Sequence, residues 1–248
     1  MPWRRRSTIQ YPACYVRFVL HFLNGGLNSV DLIMEKSGRR TVLVTGGTCR
    51  IGKAIVDTLR NAGWNVLTSS HREDSGADFI QDLSDPSGAV KLYAAALAAA
   101  PDDFCAIVNN AALFRGDPAI LEAVNLTAPR KLTMLLAGRE GVKCSVVNIL
   151  DAKLLGHSLP EDTAYAKTKR NLLADTRKYA ALFAETLRIN AVAPGPVLPP
   201  EGVHEPAGET LLSRRPVPED VASAVLYLLG AESVTGTVIP VDSGQHLL

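Results

Sequence analysis

From Thr41 onward the chain alternates between two patterns: short runs in which nearly every position is apolar, and longer stretches in which apolar residues recur three and four positions apart. Continuous apolar runs predict strands covered on both faces, and the three-and-four spacing predicts amphipathic helices. Strands are predicted at Thr41–Thr45, Asn65–Ser69, Asp78–Gln81, Cys105–Asn109, Ser145–Leu150, Arg188–Ala193 and Val238–Val241. Helices are predicted at about Ile51–Ala62, Gly88–Ala100, Ala119–Ala137, Ala164–Leu187 and Pro218–Leu229. Strand–helix alternation is the signature of βαβ units. The expected fold class is therefore α/β: one doubly wound domain over 41–248, with a seven-stranded parallel sheet and helices on both faces.

Two connections depart from that pattern. Only His71–Ala77 separate the second and third strands, whereas parallel neighbours need a crossover of about a dozen residues or more, so a loop is expected where a helix would stand. The first forty residues also read differently: Arg4, Arg5 and Arg6 precede an apolar run, Tyr11–Leu23, that Arg17 and His21 interrupt and that is too short to span a bilayer. Residues 1–40 are expected to be an extension, poorly ordered or docked on the surface.

Composition narrows the function classes. A length of 248 residues suits one substantial core, and a net charge of +1 with 21% charged residues gives no electrostatic case for nucleic acid or a membrane surface. The four cysteines, Cys14, Cys49, Cys105 and Cys144, form no CxxC pair and have no histidine cluster nearby, which argues against a metal site or a disulfide framework and for the cytoplasm. A small-molecule ligand is what remains.

The first strand runs into Thr45-Gly46-Gly47-Thr48-Cys49-Arg50-Ile51-Gly52, where a helix opens. Gly46 permits a sharp turn, Gly52 permits close helix–strand packing, and the amides at the helix N-terminus attract a pyrophosphate. Further along stand Val108-Asn109-Asn110-Ala111-Ala112, Tyr165-Ala166-Lys167-Thr168-Lys169 and Asn190-Ala191-Val192-Ala193-Pro194-Gly195. Each alone is weak, since glycine turns occur in plain loops and tyrosine–lysine pairs on surface helices. Tyr165 and Lys169, four apart, emerge on one helix face, where the ammonium is expected to lower the tyrosine pKa towards neutrality.

In this order the four segments resemble the short-chain dehydrogenase/reductase family, a Rossmann-fold family, from residue 41 to 248. Its turn is TGxxxGxG, and Arg50 stands where the middle glycine is usual. The resemblance implies a coenzyme site formed by Gly46, Arg50, Ile51, Gly52, His71, Arg72, Asp82, Leu83, Asn109, Ala111, Tyr165, Lys169, Pro194 and Gly195. It also implies Tyr165 as proton donor, Lys169 on the nicotinamide ribose, and Asn125 supporting a proton-relay water. No acidic residue ends the second strand, so the coenzyme is expected to be NADPH/NADP, with Arg50 and Arg72 clamping its 2′-phosphate.

Where the family places a serine, the chain reads Val147-Asn148-Ile149-Leu150-Asp151. An aspartate there is similar to pteridine and dihydromonapterin reductases, in which it pairs with the tyrosine to protonate a ring nitrogen. The catalytic set is therefore expected to be Asp151, Tyr165, Lys169 and Asn125, with Phe114 and Arg50 contacting a flat heteroaromatic substrate. The separation of Asp151 and Tyr165 is 14 positions (165 − 151), one more than usual, which an insertion within Gly156–Asp162 would absorb, and Asn110–Asn125 is shortened, opening one wall. Pro194–Gly208 is expected to close over the ligand. The implied activity is reduction of a dihydropterin by a homo-oligomer; a carbonyl reductase of 3-oxoacyl thioesters or sugar ketones, or a non-catalytic NADPH sensor, are the alternatives.

Overall fold

In the computed structural model, residues 40–156, 162–199 and 208–248 are described. The elements are β1 (Thr41–Thr45), α1 (Arg50–Asn61), β2 (Asn65–Ser70), β3 (Phe79–Ile80), α2 (Gly88–Ala99), β4 (Phe104–Asn109), α3 (Pro118–Glu122), α4 (Ala128–Ala137), β5 (Cys144–Ile149), α5 (Ala164–Leu182), β6 (Leu187–Pro194), α6 (Pro218–Gly230) and β7 (Val238–Val241). The seven strands form one parallel sheet in the order β3-β2-β1-β4-β5-β6-β7. The order reverses between β1 and β4, which opens a crevice at the carboxyl ends of those strands. The expected extension falls outside the described residues except for Arg40, as does most of the Gly156–Asp162 insertion and of the closing loop.

Side chains of successive strand residues face opposite sides, which is why the apolar runs are continuous. Val42 and Val44 pack with Ile55, Leu59, Val221 and Val225 beneath α1 and α6. Leu43 packs on the other side with Leu92, Leu132 and Leu136 of α2 and α4.

Three predicted elements differ. The third strand is two residues rather than four, because the short β2–β3 connection pairs it with β2 only through Ser69–Phe79 and Ser70–Ile80. The single helix expected over Ala119–Ala137 is α3 and α4 joined by a π turn, Ala123–Thr127, with Pro129 just beyond it. Pro129 has no N–H to give the Asn125 carbonyl in α register, so the ladder must shift there. The helix expected to reach Leu187 ends at Leu182. Leu187 fits both patterns: its N–H meets the Phe183 carbonyl at 2.8 Å, while it already pairs with Cys144 in the sheet.

Candidate active site

The turn after β1 is tied to the end of β4. Thr45 Oγ1 accepts the N–H groups of Asn110 and Ala111 at 3.0 Å each, and Asn110 Nδ2 donates to the carbonyls of Thr45 and Gly46 at 3.0 Å each. A Cβ on Gly52 would lie 2.0 Å from the Gly46 carbonyl oxygen, so this contact requires glycine. Gly46 has φ +63. Arg50 has φ 51, the left-handed region where a side chain costs about 1–2 kcal/mol, which is the physical reason glycine suits this place in the resembled motif. No side chain caps the N-terminus of α1 and no acid stands in its first turn, so its amides are available to an anion.

This turn forms one end of a cavity of ≈ 850 Å³ that runs past the ends of β2, β3 and β5 to Pro194 and Gly195 at the end of β6. It is lined by every expected coenzyme residue except Asn109. The volume, the uncapped helix and the close-packed glycines fit an extended dinucleotide. His71 and Arg72 close the β2 end. The two arginines expected to clamp a phosphate each hold a protein partner: Arg50 Nη2 donates to the Pro199 carbonyl at 2.8 Å, and Arg72 is paired with Asp74. At the β3 end, Asp82 Oδ1 accepts from Ser84 N and Oγ at 2.8 Å, holding the turn beside buried Leu83.

At the far end Tyr165 Oη donates to Asp151 Oδ2 at 3.2 Å, so the fourteenth position brings the two together. Thr163 caps α5, its Oγ1 accepting the Ala166 N–H at 3.1 Å, which seats Tyr165 in the first turn. One turn on, buried Lys169 donates to the Ile149 carbonyl at 2.7 Å, and its Nζ lies 5.8 Å from the Tyr165 ring centroid. Burial lowers the lysine from 10.5 to about 8, opposed by the Asp151 charge. The expected lowering of Tyr165 does not occur. Burial, and then the charge and hydrogen bond of Asp151, hold its hydroxyl well above the ordinary value of 10.0. Phe114 is 59% exposed, its ring edge-on to Tyr165 with centroids 4.9 Å apart, so it is a wall of the cavity rather than a core residue.

Two expected residues lie elsewhere. Asn109 is buried behind the site, its Nδ2 donating to Asn148 Oδ1 at 2.8 Å in a chain that continues to Thr176. The member of the pair that faces the cavity is Asn110, which strand alternation could have indicated. Asn125 occupies the π turn, and its side chain is committed to Leu113, accepting its N–H and donating to its carbonyl, both at 2.8 Å. That clamp fixes the residue before Phe114. Asp74, unmarked by any motif, also lines the cavity. Among the described residues there is no cluster suited to a metal ion, and no helix long and apolar enough to cross a membrane.

A family model described as enoyl-(acyl carrier protein) reductase matches residues 48–246. The alternative dihydrofolate reductase FolM of Brucella canis, solved with NADP, is 31% identical, covers 84% of this chain and 94% of its own, and superposes with a TM-score of 0.71. Dihydromonapterin reductase of Shigella sonnei is 26% identical over 242 residues, 86% of this chain and 100% of its own. The 3-alpha-hydroxysteroid dehydrogenase of a Pseudomonas strain, solved with NADH, is 25% identical with a TM-score of 0.71, covering 82% of this chain and 96% of its own.

Proposed function

Because this chain belongs to the short-chain dehydrogenase/reductase family, we propose that it is an NADPH-dependent reductase of dihydropterins, with Tyr165 as the proton donor. The observation that carries this reading is the Asp151 carboxylate hydrogen-bonded to the Tyr165 hydroxyl at 3.2 Å, where a carbonyl-reducing site would place a neutral hydroxyl. A carboxylate suits a substrate with a ring C=N bond, in which the hydride goes to carbon and the proton to the basic nitrogen: it keeps the phenol protonated until that nitrogen approaches, and it accepts hydrogen bonds from neighbouring ring N–H groups. Phe114, exposed and edge-on to Tyr165, offers a flat ring its platform. The coenzyme, when bound, supplies the hydride.

The remaining steps belong to the chain's own groups. Tyr165 gives its proton to the reduced ring, and the phenolate left behind faces the Lys169 ammonium on the same side of α5. Lys169 is held by the Ile149 carbonyl, so its charge is in place before the proton moves. Asn125, through Leu113, keeps Phe114 against the site. The same family reading carries assembly into a dimer or tetramer through the two long helical segments, α3–α4 and α5, which light scattering on the purified protein would check.

Following NADPH oxidation with a dihydropterin, a 3-oxoacyl thioester and a simple ketone tests the assignment. Turnover confined to the dihydropterin is expected. Rapid ketone reduction without pterin turnover would favour the carbonyl reductase instead, the reading that the similarity to a hydroxysteroid dehydrogenase supports. Tight NADPH binding with no turnover of any substrate would identify a sensor.

A further inference from the structure

The shortened connection after β2 places an acid, Asp74, at the β2 end of the cavity, at a position that no sequence motif marks. Residues 71–77 are fastened at both ends: Arg72 N donates to Ser70 Oγ at 3.1 Å, and Asp78 Oδ2 accepts from Thr68 N and Oγ1 at 2.8 and 2.7 Å. Between those clamps there is room for a single 3-10 turn, Glu73–Ser75, ended by Gly76 in the left-handed region at φ 68. A full crossover helix would carry its residues away over the sheet. This turn instead folds Asp74 back to line the cavity beside Ser70, His71 and Arg72. Its carboxylate takes Arg72 Nε at 3.2 Å and Nη2 at 3.1 Å, side by side.

Resting on the assignment of this cavity to a nicotinamide dinucleotide, we propose that Asp74 is a specificity-determining residue that makes the site accept both NADPH and NADH. A ribose 2′-phosphate seeks the Arg72 guanidinium, but must approach a carboxylate already on that fork and be repelled by it. A free ribose 2′-hydroxyl is a hydrogen-bond donor, and a carboxylate at this end of the crevice is the acceptor it needs. Arg72 and Asp74 are 64% and 74% exposed, so their pairing is weak and a phosphate can still compete for the arginine. The outcome is tolerance of both coenzymes rather than exclusion of either. Asp74 thus does from a loop what an acid at the end of β2 does elsewhere.

The test is equilibrium binding of NADPH and of NADH to the full chain, followed by nicotinamide fluorescence, for the wild type, Asp74→Asn and Glu73→Gln. Asp74 is an exposed side chain and Glu73 lies outside the cavity lining, so both variants are expected to melt with the wild type. Asp74→Asn should tighten NADPH by roughly tenfold and weaken NADH several-fold, and the NADPH gain should shrink in molar salt. Glu73→Gln should leave the ratio of the two affinities within about twofold, because its charge does not sit on the arginine fork. An unchanged ratio in Asp74→Asn, an equal shift of both coenzymes, or the same shift in Glu73→Gln overturns the proposal. So does a wild type that already prefers NADPH by more than roughly a hundredfold. Failure of the wild type to bind either coenzyme overturns the dinucleotide assignment itself, and this inference with it.

Discussion

Tyr165 sits between charges of opposite sign, with the Asp151 carboxylate 3.2 Å from its hydroxyl and the Lys169 ammonium 5.8 Å from its ring centroid. Burial, and then the carboxylate, keep the phenol protonated well above neutrality. Asp151→Asn removes that charge while keeping the shape. It should bring the tyrosine back towards its ordinary value in an ultraviolet titration and lower dihydropterin turnover by roughly 10²–10⁴, with the NADPH Kd unchanged. Lys169 makes a prediction of opposite sign. With a folded value of about 8 against 10.5, it binds fewer protons in the native than in the unfolded state between those limits. Its contribution to stability is therefore unfavourable below about pH 8 and improves as pH rises towards 10.5, by up to ~1.4 kcal/mol per pH unit. Cys144, pushed up to about 11 by burial, and Tyr165 act the other way in the alkaline range. The lysine contribution is thus the difference in urea midpoint between the wild type and Lys169→Met. That difference should climb across this window, and a flat one would count against a buried lysine.

At the scale of elements, the start of α1 makes opposite demands on two neighbouring positions. Gly52 meets the Gly46 carbonyl so closely that a methyl group has nowhere to go, so Gly52→Ala should cost about 1–3 kcal/mol in denaturant unfolding and abolish coenzyme binding. Arg50 pays a backbone penalty at φ 51, and Arg50→Gly should recover about 1 kcal/mol less the Pro199 hydrogen bond, while weakening NADPH more than NADH. The composition of this turn was plain in the sequence because glycine and an arginine in its place are local facts. The π turn was not, since Leu121, Val124, Ala128 and Leu132 keep a helical spacing straight through it and only Pro129 hints at the shift. The same holds for the end of α5, where Leu187 satisfies the helical period and the sheet together.

Across the whole molecule, the cavity draws on β1, β2 and β3 on one side of the switch point and on β5, α5 and β6 on the other. A coenzyme lying there would bridge both halves of the sheet, so NADPH at a hundred times its Kd should stabilise the fold by about 2.7 kcal/mol, visible as a rise in melting temperature. What the chain determined by itself is whatever depends on period and on near neighbours. That covers the two-sided parallel sheet, because buried strands and amphipathic helices write their burial into consecutive residues. It also covers Tyr165 and Lys169, because one helical turn sets their distance whatever surrounds them. What only the tertiary structure decided are relations between segments far apart in the chain. These are which asparagine of the Asn109–Asn110 pair faces the cavity, that Asn125 grips Leu113, that burial and Asp151 raise the phenol rather than Lys169 lowering it, and that a clamped seven-residue connection, 71–77, sets Asp74 on Arg72. Each depends on a distance or a desolvation created when separate strands meet, and neither quantity exists until the chain has folded.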